Sequence, residues 1–257
     1  MSRMRFVAVA CAAALFAGCG GGLKSIDISQ QAPIAVVGFS MNKSIVQKDK
    51  APDQGPGLLQ KSENYYQHHQ EAVEALWSEL KAQYRDLCLG AEVVDIEKVA
   101  ADENYQKLTK HVPKVMLGKD IAPGNSVLVP SGGLNYISTM DKDKLEKVAT
   151  MFGAKLLMTI DYSAYWAMNA GLEINGIGGG AGKMWLRAVV SMYEPGKGVV
   201  LVQSFEESSD EQFPVVQGIM LSDNYAKGLT SANKKLLPKI KSYFEAQKSK
   251  ANETAAK

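Results

Sequence analysis

The chain is poor in cysteine and histidine, with three of each among its 257 residues. Cys11 lies inside an apolar amino-terminal run, Cys19 follows it, and Cys88 stands alone in the body. With Cys11 cleaved off and the Cys19 thiol occupied, only Cys88 would remain, so no internal disulfide could staple the fold, which must rest on its core. A metal centre needs clustered thiolates, imidazoles or carboxylates at short spacing. Adjacent helical residues point about 100° apart, so His68 and His69 share no face and read as surface helix histidines; His111 is isolated. No metal is expected. The charge also lacks a dominant sign, with 29 Lys and Arg against 27 Asp and Glu. A nucleic-acid partner wants a basic face, and this balance argues against one. After residue 18 no apolar run approaches the roughly eighteen residues of a membrane-spanning helix. No nucleophile elbow or paired-carboxylate signature occurs, so neither an enzyme nor a cofactor is expected. The acidic pairs Glu206-Glu207 and Asp210-Glu211 read as solvated charge.

What is present begins at the amino terminus. Arg3 and Arg5 precede an apolar stretch, FVAVACAAALF, over residues 6–16, and Ala17-Gly18-Cys19 follows. A basic start, a short apolar core and small residues before a cut make a secretory signal. Its tail, Leu15-Phe16-Ala17-Gly18-Cys19, resembles the lipobox of bacterial lipoproteins. That resemblance implies removal of residues 1–18, transfer of a diacylglycerol to the Cys19 thiol, and acylation of the new amino terminus by a palmitate-type chain. Two or more such chains, at about 0.8 kcal/mol per buried methylene, hold a protein firmly on a membrane. Gly20, where retained lipoproteins often carry Asp, implies by the same resemblance the periplasmic face of the outer membrane. The alternative is an ordinary cut near Ala17 or Gly18 and a soluble periplasmic protein. Losing Arg3 and Arg5 leaves the basic residues equal in number to the 27 acidic ones.

Residues 19–32 read as the lipidated cysteine and a flexible, glycine-led tether. Residues 33–40 (PIAVVGFS) are apolar enough for a strand buried on both faces. A polar loop over 41–58 leads to a helix over 62–87, with Val73, Leu76, Trp77, Leu80 and Tyr84 on one side and Gly90 as a stop. A short strand is expected over 92–96, a helix over 97–112 and an irregular stretch over 113–138. The next helix spans 144–152, with Asp143 and Glu146 at capping-box spacing and Gly153 ending it. Strands are expected over 155–166, 183–193 and 199–205, the second alternating Met184, Leu186, Ala188, Val190 and Met192 inward. A last helix starts at Ser222 or Asp223 and buries Tyr225, Leu229, Ala232, Leu236, Ile240 and Phe244; Pro238 interrupts it, and residues 247–257 read as a polar disordered tail. The sum is a single α/β domain over 33–246, a mixed and largely antiparallel sheet flanked by helices.

The stretch 145–205, with Phe152-Gly153-Ala154-Lys155 ending a helix, a strand, a glycine-rich insertion and an alternating strand, resembles the CsgG-like fold. That group includes curli-secretion lipoproteins, the amino-terminal domain of the TolB family and lipoprotein activators of penicillin-binding proteins. Ile34-Ala35-Val36-Val37-Gly38-Phe39 is similar to its usual first strand. Fold transfers from such short patterns better than function does.

Gly176-Ile177-Gly178-Gly179-Gly180-Ala181-Gly182 is the loudest local motif. A phosphate-cradling loop needs a helix after it, and Gly182-Lys183-Met184 lacks the Ser or Thr of a P-loop. The segment reads instead as a mobile hairpin tip that touches partner or membrane. Gly176, Gly178, Gly179, Gly180 and Gly182, with Trp166 and Trp185, are the candidate contact residues; burial under a helix is the competing expectation, stronger for Trp185. Cys88 reads as a buried apolar filler. The expected function is a lipid-anchored, periplasm-facing accessory or binding subunit of a cell-envelope assembly. The alternatives are a subunit of an oligomeric CsgG-type secretion channel, in which the chain is a homo-oligomer, and a ligand-binding or enzymatic periplasmic domain.

Overall fold

The computed structural model describes residues 26–42, 45–48, 63–109, 127–128, 133–174, 177–216 and 219–255. Cys19, the tether before residue 26, His111 and Gly176 lie outside them.

An eight-stranded mixed sheet forms the centre. β1 (Ile34–Asn42) is buried along almost its whole length, as its unbroken apolar run predicts. It pairs in parallel with β4 (Leu156–Ile174), which pairs antiparallel with β5 (Ile177–Glu194), and β5 with β6 (Gly198–Ser208). Four two- to four-residue strands complete the sheet. β2 (Val46–Gln47) pairs in parallel with the middle of β4, β3 (Val127–Leu128) pairs with β1, and β7 (Phe213–Val216) with β8 (Ile219–Met220) extends the sheet beside the start of β5.

The alternation of β4 and β5 sorts their side chains onto two faces. Ile160, Tyr162, Ala164 and Trp166 with Met184, Leu186, Ala188, Val190 and Met192 are all buried. Over them lie α1 (Glu63–Leu87) and α5 (Tyr225–Ala255). Val73, Leu76, Trp77, Leu80 and Tyr84 of α1 are buried, as are the six α5 positions that the helical period selects. A buried polar chain ties the layers: the Tyr162 hydroxyl donates to Asn233 Oδ1 at 2.9 Å, and Asn233 Nδ2 donates to Glu79 Oε2 at 2.7 Å. Among the described residues, the helix on the other face near the start of β4 is α4 (Lys142–Phe152), whose Glu146 accepts from the Tyr193 hydroxyl and the Gly196 amide at 2.6 and 2.9 Å, and no helix covers the rest of that face. Two short helices, α2 (Ile96–Ala101) and α3 (Glu103–Thr109), stand beside β1 and α4.

Several expectations shift. The helix over 97–112 is two helices, split where Asp102 turns extended. The strand over 92–96 is a single bridge between Val93 and Ile34. Asp141 caps α4, accepting from the Lys144 amide at 3.2 Å, while Gly153 ends it with φ +61°. α5 passes through Pro238 and continues to Ala255, so the stretch from 247 to 255 is helical rather than a disordered tail. It contains no Gly or Pro and is rich in Ala, Lys, Gln and Glu, all good helix formers.

The largest correction concerns the glycine run. β4 and β5 stay in register from Leu157↔Tyr193 to Ile174↔Ile177, with one bulge between Met168 and Ala170. Gly178, Gly179, Gly180 and Gly182 are strand residues facing Glu173, Leu172, Gly171 and Met168. Gly180 to Gly182 are paired on their other side with β7. A Cβ on Gly180 would run into the Ala170 carbonyl oxygen, so glycine serves close strand approach at the bulge.

Candidate functional site

The half of the sheet that α4 leaves bare, among the described residues, is the candidate site. Its floor follows from register. Tyr165 pairs with Trp185 and Trp185 with Ser208; Ser163 pairs with Arg187 and Arg187 with Glu206; Asp161 pairs with Val189 and Val189 with Ser204. Odd-numbered positions of β4 and β5 in this half point away from α1 and α5, and apart from Val189 they are polar or aromatic here. Ser163, Arg187 and Ser204 are exposed, and Val202 beside them is 50% exposed.

Two aromatic rings occupy the middle. Tyr165 and Trp185 lie nearly parallel, 6° between planes and 6.1 Å between centroids. Lys48, just after β2, reaches across them: its Nζ is 4.4 Å from the Trp185 ring and 5.2 Å from the Tyr165 ring. Glu206 Oε1 lies 3.8 Å from Lys48 Nζ and 3.7 Å from Arg187 Nη2, too far for a hydrogen bond in either case. Among the described residues, Tyr165 Oη, Trp185 Nε1 and Glu206 Oε1 are out of contact with solvent and have no hydrogen-bond partner. Leaving such atoms unpaired costs roughly 1–3 kcal/mol each, so their gathering in one strip is a feature to explain.

The strip is bordered by fixed polar groups. Asn42, at the end of β1, donates through Nδ2 to the Ala164 carbonyl at 3.0 Å and accepts from the Ala164 amide at 2.6 Å, filling the ladder between β1 and β2. The Lys48 amide donates to the Trp166 carbonyl at 2.8 Å. Asp161 accepts a hydrogen bond from the Ser40 hydroxyl. Burial raises the Asp161 carboxyl above its ordinary pKa, and the Ser40 bond only partly offsets this.

The candidate contact residues fall apart in space. Trp166 is 2% exposed, on the helix-covered face opposite Met184, and is no surface contact; Trp185 is the tryptophan on the bare face. The expectation of burial was stronger for Trp185, so the two exchange places. Gly179 and Gly180 are exposed, and Gly182 is buried against β7. His69 is not a surface histidine: it is buried, with Nε2 2.9 Å from the Asn42 carbonyl. Cys88 is buried, and burial pushes its thiol pKa up to about 12, as befits an apolar filler. Glu206 and Glu207 lie on β6, where Glu207 meets Lys239 at 2.6 Å, and Asp210 meets Lys235 at 2.9 Å, so these acids are paired. Lys48, Arg187 and Tyr165 carried no local motif. The odd-numbered polar and aromatic positions of the two long strands pointed to Tyr165 and Arg187, and nothing pointed to Lys48.

Among the described residues, no group of three or more His, Cys, Asp or Glu could hold a metal ion, and no helix is long and apolar enough to cross a membrane. No family model and no curated protein matches the chain. Among solved structures, it is similar to a hypothetical protein of Chlamydia trachomatis at 9% identity, over 84% of this chain and 97% of that one, with a TM-score of 0.28. A similarity at that level carries no argument about function.

Proposed function

We propose that the protein is a lipid-anchored binding subunit of a bacterial cell-envelope assembly, held at the periplasmic face of the outer membrane through Cys19. Its bare sheet face is the surface that binds. The observation that carries the binding role is the strip formed by Tyr165, Trp185, Arg187 and Glu206. Trp, Tyr and Arg are the residue types on which binding energy concentrates, and among the described residues the strip holds three buried polar atoms without hydrogen-bond partners. The anchor is supported by the lipobox-like Leu15 to Cys19 and the glycine tether after it. Lipidated at Cys19, the body would work within reach of the membrane without entering it.

Two measurements test this. Cys19→Ala should move the protein from the membrane to the soluble fraction; retention on the membrane overturns the anchor. A photo-cross-linking residue at Arg187 should give a discrete adduct in cells, whereas one at Glu245 on α5 should give none. Equal labelling at both positions overturns the bare face as the binding surface.

A channel subunit is the second reading, favoured by one feature. The β4–β5 ribbon continues past Trp185↔Ser208, its last pair with β6, to Ile174↔Ile177. A ring-sized species that conducts ions across planar bilayers would support it; a non-conducting monomer would remove it.

A further inference from the structure

The bare face already holds a cation, and the manner of holding defines a ligand class. Lys48 is fixed at its base by the hydrogen bond from its amide to the Trp166 carbonyl. Its ammonium is nearer to each ring, at 4.4 and 5.2 Å, than the rings are to one another, at 6.1 Å. It therefore sits over the pair, with the Glu206 carboxylate 3.8 Å to one side. Two parallel ring faces and a carboxylate around one ammonium are what recognition of an amine or quaternary ammonium requires. Arg187, 3.7 Å from the same carboxylate oxygen, keeps Glu206 in position if Lys48 leaves.

We propose that Tyr165, Trp185 and Glu206 form a binding site for a small organic cation bearing an oxygen acceptor, of which a choline-like amino alcohol is the type, and that Lys48 is its resident occupant. The inference rests on the reading of the bare face as the binding face and not on the lipid anchor. The oxygen is asked for by the unpartnered Trp185 Nε1–H and Tyr165 hydroxyl, which can donate to it. Displacement is cheap because Lys48 and Glu206 are partly solvated, 41% and 28% exposed in their side chains, and exposed ion pairs and cation–π contacts are weak. A closed form favoured by a factor of roughly five to ten lowers apparent affinity by that factor.

The experiment is a choline titration of the full-length protein in detergent micelles at constant ionic strength. It follows the Trp185 indole N–H resonance, assigned by its loss in Trp185→Phe. Choline should shift that resonance, and Lys48→Met should lower the half-saturating concentration roughly fivefold to tenfold. Glu206→Gln in the Lys48→Met background should weaken binding again. An unchanged or weaker response in a folded Lys48→Met protein overturns the proposal. So does a resonance that moves with acetate instead of choline and stops moving in Lys48→Met, since Lys48 would then be a ligand for anions. Binding to phosphatidylcholine vesicles without any response to free choline also overturns it. If Lys48→Met does not fold, Glu206→Gln alone must weaken the response of the native protein, or the proposal fails. A cross-link at Arg187 without a choline response leaves the face a partner site and removes the ligand; a choline response in Cys19→Ala supports the ligand whatever becomes of the anchor.

Discussion

Trp166 and Trp185 stand in neighbouring rows of one β-ribbon and live in different environments. Trp166 pairs with Met184, and Trp185 pairs with Tyr165, one register step away. Trp166 is 2% exposed among the side chains that α1 and α5 cover; Trp185 lies on the bare face beneath Lys48. The residue type is the same, so what differs is the covering layer. On one side α5 comes so close that a Cβ on Gly228 would collide with Met184. On the other, α4 reaches only as far as Tyr193 and Gly196. One face of the ribbon builds the core, and the other, among the described residues, carries no helix beyond α4.

The comparison is broken most directly by truncating each tryptophan. Trp166→Ala opens a cavity in a closed layer and should cost about 3–5 kcal/mol, a fall in Tm on the order of 10 °C. Trp185→Ala should cost about 1 kcal/mol or less, because water can fill the space. Urea denaturation of both variants measures the contrast. Equal losses would mean that the bare face is structural.

The covered side should also be the acid-sensitive one. His69, on α1, is buried with Nε2 against the Asn42 carbonyl, and burial lowers its pKa from 6.5 to about 4. The folded state therefore keeps this imidazole neutral. Its contribution is fully present above pH 6.5 and is lost as the pH falls to about 4. At 1.36 kcal/mol per pH unit the loss is about 3 kcal/mol. The stability advantage of the native protein over His69→Gln should shrink by about that amount between pH 7 and pH 4, as read by urea denaturation. A constant difference across that range would show that His69 takes up its proton without opening the α1 layer.

Much of this contrast was legible in the chain, and the rest was not for physical reasons. The apolar alternation of β5 named the buried row because a period of two is set by the backbone itself. The helical stripes of α1 and α5 named their inner sides in the same way. Which of Trp166 and Trp185 would be covered could not be read, because it depends on where α4 ends across the sheet. The glycine run misled because glycine serves both loose turns and close strand approach; only the neighbours of Gly180, Ala170 and Gly171, distinguish the two. His69 looked solvent-facing because the residue that covers it from β1, Asn42, lies 27 positions away. The Lys48 contact joins β2 to β6 across two other strands, and no local pattern carries a partnership that distant.

The smallest expected effect sharpens the comparison from the open side. Arg187 is half exposed in its side chain, and its contact with Glu206 is 3.7 Å long, beyond hydrogen-bond reach. Ion pairs of that kind contribute about 0–1 kcal/mol and are screened by salt. Removing the guanidinium also leaves Glu206 with Lys48 at 3.8 Å, so no charge is stranded. Arg187→Gln should therefore change stability by no more than about 0.5 kcal/mol, and raising the salt concentration should erase even that difference. Equilibrium unfolding at low and high salt checks both parts. A salt-independent loss well above 1 kcal/mol would mean that the Lys48, Glu206 and Arg187 cluster seals the sheet as a helix would. The strip would then be a second core surface, and its unpartnered Trp185 and Tyr165 groups would be a folding cost rather than an invitation to a ligand.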